Sequence, residues 1–453
     1  MKLTYLSLLA PFLTSTNAAD ISLQKDGVPI LHNGTNCQQA CETLASEFPG
    51  RLHYLGSDDS FTIWDQKQLE TRYVCRVEPA SADEVSKVLQ VLVNNWCRFA
   101  VKCGGHSRFP DDSVSVGGVT VDLGLINNTV VSDDRTTARI GGGSLTRQIF
   151  AALDPYGLAH VGGRVGQVGV GGFTLGGGTS VLAAKYGWAL DHVLEYEVVL
   201  PNATIVVASE DSHPDLYYAL RGGGNNFGIV TSFNTSVFPQ GTVYTGSRTF
   251  ADEQTDRFLE EAEKIFTIQD AEDTNVGLEY RYTYSAQNGW TISSTQRYSE
   301  PVSNPPVNLF TTLTHYPSVE LGKKGLELLK RTVERANLTS LTPQLITYSI
   351  PAATMEMSKV RGGNALGLDV EGHLVNDAVY ALADDFIADF RKAAEDANAF
   401  HPFIYINYAN KGQDVFLSYG KQNQQRLMEI QHEIDPHGVF TSSGLWTGFF
   451  KVR

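Results

Sequence analysis

Positive charge is scarce in this chain of 453 residues. Lys and Arg number 35 against 50 Asp and Glu, for a formal net charge of −15 and a pI near 5.2. A phosphate-binding surface needs the opposite sign, which argues against nucleic acid as a partner and equally against an anionic membrane surface. Long apolar runs are also missing. Nothing beyond the first twenty residues could span a bilayer. No C-x-x-C or H-E-x-x-H spacing occurs, so the common zinc sites have no donors and no metal is expected. There are no internal repeats and no low-complexity segments. Cysteine is limited to five positions, Cys37, Cys41, Cys75, Cys97 and Cys103. The odd count leaves one thiol over if the rest pair.

What remains is an ordinary globular composition, 42% hydrophobic and 19% charged, on a chain long enough for two or more domains. The opening "MKLTYLSLLAPFLTSTNAAD" reads as a secretory signal over residues 1–18: a lysine, an apolar stretch, then small residues at Thr16 and Ala18. A secreted chain favours disulfides. Cys37 and Cys41 are too close to be an obvious mutual pair, so each is expected to bridge to Cys75 or Cys97, with Cys103 free. Sequons at Asn33, Asn127, Asn202, Asn234 and Asn337 fit a glycoprotein.

The pattern alternates strand and helix at first. "CQQACETLASEF" is helix-like. "YVCRVEP", "SADEVSKVLQVLVNNW" and "CRFAVKC" form one βαβ unit, its helix capped by Ser81. "GVTVDLGLIN" and "ARIGGGSLTRQIFAAL" add strands and a helix, and "HVLEYEVVLPNATIVVAS" is a hairpin turning at Pro201-Asn202. The texture changes after Pro239. Strands "GLEYRYTYSA" and "GWTISSTQRYS" mix with helices "KKGLELLKRTVERA" and "AVYALADDFIADFRKAAEDA", as in an antiparallel sheet backed by helices. The tail supplies a strand at "YINYAN", a loop, and a helix stopped by Asp435-Pro436.

Two glycine-rich places carry the chemistry. "GQVGVGGFTLGGGTS" (Gly166 to Ser180) lacks both G-x-G-x-x-G and G-x-x-x-x-G-K-[ST], so neither the Rossmann nor the P-loop fingerprint explains it. "FAVKCGGHS" delivers Gly104, Gly105, His106 and Ser107 from the end of a strand. Paired glycines let successive N–H groups form an anion nest beside the histidine.

These segments, with "VDLGLIN", "DLYYALRGGGNNFGIVTSF" and the tail "YINYAN…YGKQNQQRLMEIQHEIDPHGVF", stand in the order of a known family. The chain resembles the secreted FAD-dependent oxidases of the berberine bridge enzyme group, in the vanillyl-alcohol oxidase superfamily, and its fungal members in particular. The resemblance covers nearly the whole chain after the signal. It implies an α+β fold: an FAD-binding domain over 70–240, an antiparallel-sheet substrate domain backed by helices over 241–400, and a segment 401–453 returning to the FAD domain. It implies FAD bonded covalently to His106. Gly104, Gly105, Ser107, Val168, Gly169, Gly171, Gly172, Gly176, Gly177, Gly228, Ile229, Val230 and Asn407 would bind the cofactor, the glycines clearing space where main chain meets it. Tyr408 matches the family's catalytic tyrosine, with Tyr405 as the second candidate. An unperturbed phenol titrates near pH 10, so such a base needs tuning by its neighbours. Glu279, Tyr280 and Tyr282 are further candidates for the pocket lining.

One position departs from the family. Where many members carry a second flavin-linking cysteine, this chain has Val165, which implies a single covalent link. Oligosaccharide-oxidising members generally carry both links, so the departure favours a small hydrophobic metabolite. Val168 matches a gatekeeper for oxygen, and valine there goes with oxidases. The implied activity is hydride transfer from a small organic substrate to FAD and on to O2 as hydrogen peroxide, by a secreted monomer. The alternatives are a carbohydrate oxidase, a flavoprotein cyclase without net redox turnover, and a silent secreted binding protein.

Overall fold

The computed structural model describes residues 34–58, 61–271, 273–285, 287–299, 316, 318–336, 344–357, 359, 362–368, 374–380, 383–410, 413–448 and 450–452. The proposed signal segment and the sequons at Asn33 and Asn337 lie outside the described residues. The protein is a mixed α+β structure with three principal sheets.

The first sheet has four strands in the order Leu52–Tyr54, Cys75–Val77, Val119–Asp122, Phe99–Lys102. Its last three strands are parallel. The helix Ala82–Asn94 connects Cys75–Val77 to Phe99–Lys102, and Ser81 caps it by accepting from the Glu84 N–H. Its valines and leucines at 85, 88, 89, 92 and 93 are buried against the sheet. Val119–Asp122 lies between the two strands of this βαβ unit, an order the alternation alone does not reveal. Disulfides Cys37–Cys97 and Cys41–Cys75 fasten the helix Gly34–Glu47 to this layer, and Cys103 is free, matching the expected pairing pattern.

The second sheet has five antiparallel strands, with Ile229–Ser236 at its centre between Thr137–Gly141 and Val193–Val199. The expected hairpin Val193–Val199/Ile205–Ser209 is present. The third sheet is antiparallel in the order Tyr244–Ala251, Gly289–Tyr298, Val276–Ser285, Gln344–Ile350, Leu374–Tyr380. The helices Thr255–Ala271, Val319–Ala336 and Ala383–Asp396 cover one of its faces, sharing a core with Tyr280, Tyr282 and Ile292. The tail packs back on the first sheet: Phe99 N–H donates to Leu445 O at 2.7 Å, and Thr447 N–H to Phe99 O at 3.0 Å.

Two expectations need correction. "AVYALADDFIADFRKAAEDA" is not one helix. Ala378, Val379 and Tyr380 belong to the strand Leu374–Tyr380, in register with Ile346, Leu345 and Gln344, and the helix starts at Ala383. "YINYAN" is not a strand but a 3-10 turn over Ile406–Tyr408. Three residues per turn bring Tyr405 and Tyr408 to one side. In a strand of period two they would point to opposite faces.

Candidate functional site

A cavity of about 390 Å³ opens between the glycine segments, the tail and the third sheet. The strand Phe99–Lys102 ends at its rim. Lys102 is held by Asp122 at 3.1 Å, and Asp122 also takes Arg76 Nη1 at 3.1 Å. The chain then turns through Gly104 and Gly105, the latter at φ +63°, and presents His106 in the wall. The imidazole stacks on Trp64, centroids 4.0 Å apart and planes 14° from parallel. Its Nε2 is buried without a hydrogen-bond partner among the described residues. Burial lowers the His106 pKa, so the ring is neutral near pH 7.

Gly104, Gly105, Ser107, Val168, Gly169, Gly171, Gly172, Gly176, Gly228, Ile229, Val230, Tyr405, Asn407 and Tyr408 all contribute to the same wall. Gly177 does not. It packs beneath Tyr405 and Trp188. The glycines also have another purpose than expected. A Cβ on Gly104 would collide with the Gly169 backbone and the reverse holds as well, so these two chains cross at hydrogen-only distance. Gly172 is the contrasting case: a Cβ there would meet nothing within 4 Å.

The tail faces this loop. The Tyr405 hydroxyl oxygen accepts from Gly178 N–H and Thr179 N–H at 3.1 Å each and from Asn407 Nδ2 at 2.9 Å. Asn407 Nδ2 also donates to Phe173 O at 3.0 Å. Burial pushes the Tyr405 pKa up to about 12. Tyr408 is half-buried, and its oxygen accepts from Arg164 Nη2 at 2.6 Å. Arg164 Nη1 meets Glu279 Oε2 at 2.9 Å, and its guanidinium lies 4.8 Å from the Tyr348 ring centroid. Burial opposes the charge on Arg164, but Tyr408 and Glu279 outweigh it and raise its pKa. Glu279 is likewise buried, yet Arg164, Arg281 and Arg297 keep its carboxyl below the ordinary value.

Glu279 therefore lines the cavity as expected, whereas Tyr280 and Tyr282 belong to the helix-backed core. Sequence reasoning missed Trp64, Arg164, Arg281 and Arg297. Only Arg164 left a signal, as a charged residue inside a glycine-rich segment otherwise made for burial. Cys103 lines the cavity too, and burial raises its thiol pKa.

An FAD-binding domain family matches residues 74–209. The FAD-dependent monooxygenase tpcD of Cochliobolus heterostrophus is 30% identical, over 90% of this chain and 93% of that protein. The chain belongs to the family of FAD-dependent flavoproteins that this fungal protein represents, and its fold is of the berberine bridge enzyme-like, vanillyl-alcohol oxidase type. It is an FAD-dependent oxidoreductase of that family. The FAD-dependent monooxygenase sdcF of Emericella nidulans is 28% identical, over 92% of this chain and 99% of that protein. Among solved structures, a berberine bridge enzyme-like protein of Physcomitrella patens superposes with a TM-score of 0.72 at 16% identity, over 91% of this chain and 99% of its own. The 6-hydroxy-D-nicotine oxidase of Arthrobacter nicotinovorans gives 0.68 at 19%, over 87% and 96%. Glucooligosaccharide oxidase of Acremonium strictum, whose FAD is 6-S-cysteinyl and 8α-N1-histidyl, gives 0.67 at 18%, over 91% and 100%. At these identities the three structures speak for the fold alone.

The residues of the cavity fit FAD. A buried histidine nitrogen lacks a partner among the described residues, a glycine faces open space, and backbone from three segments lines one cavity.

Proposed function

We propose that the protein is a secreted oxidase of a small organic substrate, with FAD joined covalently to His106 alone. The observation that carries the reading is the convergence of the unpartnered His106 nitrogen and the Arg164-bonded Tyr408 on one cavity. The domain division at Pro239 and the cofactor roles of the glycine segments belong to the same reading. Bound FAD would supply the acceptor for a hydride from substrate carbon and the site at which O2 collects both electrons as hydrogen peroxide. The protein's own part is to orient, to exclude water and to move a proton. Tyr408 takes the O–H or N–H proton of the substrate as hydride leaves. Arg164, a pure donor, stands where it stabilises negative charge growing on the Tyr408 oxygen. Tyr405 is a positioning residue: three donors hold its oxygen, and it ties the tail to the glycine segment.

Secretion is supported by the two disulfides and by sequons at the exposed Asn127 and Asn202. The test of the activity is anaerobic bleaching of the flavin against a metabolite library, followed by peroxide assay of each hit. Several relatives are named monooxygenases. Labelled oxygen distinguishes that chemistry: label in the product sinks the oxidase reading, and label in peroxide alone supports it.

Two further outcomes are expected. A flavin-peptide map should contain one modified peptide, at His106. Val165 cannot form a thioether, and a raised thiol pKa leaves Cys103 poor in the reactive thiolate. A cysteinyl adduct at Cys103 would show this to be wrong. The second concerns Val168, whose carbonyl is anchored by Thr146 N–H at 2.9 Å and Thr146 Oγ1 at 3.0 Å. Its side chain cannot easily retreat, so one extra methylene fills the cavity beside it. Val168→Leu should slow the return of flavin colour on mixing with oxygen and leave bleaching by substrate nearly intact. Equal oxygen rates in stopped flow would remove Val168 as the gatekeeper.

A further inference from the structure

The wall facing the glycine segments is one face of the third sheet. Along Val276–Ser285 alternate side chains point to opposite faces. Tyr280 and Tyr282 enter the helix-backed core, while Glu279 and Arg281 line the cavity. Arg297, paired across the sheet with Gly277, and Ile346, paired with Arg281, line it as well. Arg164 reaches the same place from the glycine segment. Three arginines thus meet one carboxylate.

That carboxylate is already engaged on both oxygens. Glu279 Oε2 takes Arg164 Nη1 at 2.9 Å, and Oε1 takes Arg281 Nε at 3.2 Å and Nη2 at 2.7 Å. Arg297 is half-buried and makes no hydrogen bond or ion pair with any described residue. Burial comes first among the causes that lower its pKa, and repulsion from Arg164 and Arg281 adds to it. The nearby Glu279 charge offsets this in part, but both its oxygens are taken by Arg164 and Arg281. A partly desolvated guanidinium with no carboxylate hydrogen-bonded to it is unfavourable. The excess of positive charge is local, since the chain as a whole carries −15.

We propose that this wall recognises a carboxylate on the substrate, with Arg297 as its principal ligand and the more exposed Arg281 beside it. The proposal rests on the cavity being the oxidase's substrate site. A guanidinium presents parallel N–H groups whose spacing matches the two oxygens of a carboxylate. Ile346 gives the same wall an apolar patch for the body of the molecule. The substrate is therefore an organic acid, gripped by Arg297 while its oxidisable carbon lies toward Tyr408.

The test uses FAD-loaded protein, with benzoate and its neutral isostere benzamide as probes, read by calorimetry and by the flavin spectrum. Benzoate should bind wild type at least about tenfold more tightly than benzamide, as for a charge-assisted hydrogen bond. Arg297→Gln should erase that preference and Arg297→Lys restore part of it, with flavin content unchanged in both. Equal affinity of wild type for acid and amide overturns the proposal, as does an unchanged benzoate Kd in Arg297→Gln. A variant whose flavin spectrum shifts without any probe, at unchanged benzoate affinity, assigns the guanidinium to the cofactor and also overturns it. A failure of the oxidase reading is distinguishable: wild type would purify without flavin, or would give no peroxide with any substrate that bleaches it, whatever the benzoate preference.

Discussion

His106→Ala should convert a flavin that survives denaturation into one that is lost completely. Wild-type protein precipitated with acid should stay yellow and run as a fluorescent band. The variant should leave its flavin in the supernatant while binding FAD reversibly when folded. Several features support the bond. The Nε2 atom is buried and unpaired among the described residues, an arrangement that native proteins rarely leave uncompensated. The ring is fixed in orientation by Trp64. Its pKa is lowered by burial, so a nitrogen lone pair is available at neutral pH instead of being protonated. The change removes no ion pair and opens space at a cavity rim, so the fold should survive. Wild type that released all its flavin into acid would contradict the assignment.

Tyr408→Phe should lower the anaerobic rate of flavin bleaching by about a hundredfold or more, the usual cost of losing a general base. The ring contacts with Tyr405 and Tyr348, at 5.1 and 5.6 Å between centroids, remain available to phenylalanine. FAD content should therefore be unchanged. Arg164 loses one acceptor but keeps Glu279, so no charge is left without a partner. Bleaching at the wild-type rate would reduce Tyr408 to packing. Tyr405→Phe should behave differently: it unties three donors from the glycine segment, so its effect should appear first in FAD retention.

Some of this architecture is legible because it is local. The Ser81 cap, the acidic first turn and the apolar spacing of Ala82–Asn94 all lie within one short window. The same holds for the hairpin Val193–Val199/Ile205–Ser209. The segment 378–397 misleads for the same reason: its alanines and helical apolar spacing favour helix, yet pairing with Gln344–Ile350 draws Ala378, Val379 and Tyr380 into the sheet. Propensity is weaker than a ladder of hydrogen bonds to a neighbouring strand.

The sequence by itself determined the family, the α+β class, which cysteine stays free and the histidine at the end of its strand. Each of these is written in residue types at short spacings. The folded structure chose Cys37–Cys97 and Cys41–Cys75 between the two pairings left open. The tertiary structure alone decided what surrounds that histidine. Trp64 stacks on it from 42 positions earlier in the chain. Arg164 reaches Tyr408 across 244 positions. Arg281 and Arg297 meet Arg164 only because neighbouring strands turn the same face to the cavity. Charge and stacking act over a few ångströms of space, and only folding brings residues so far apart in sequence within that range.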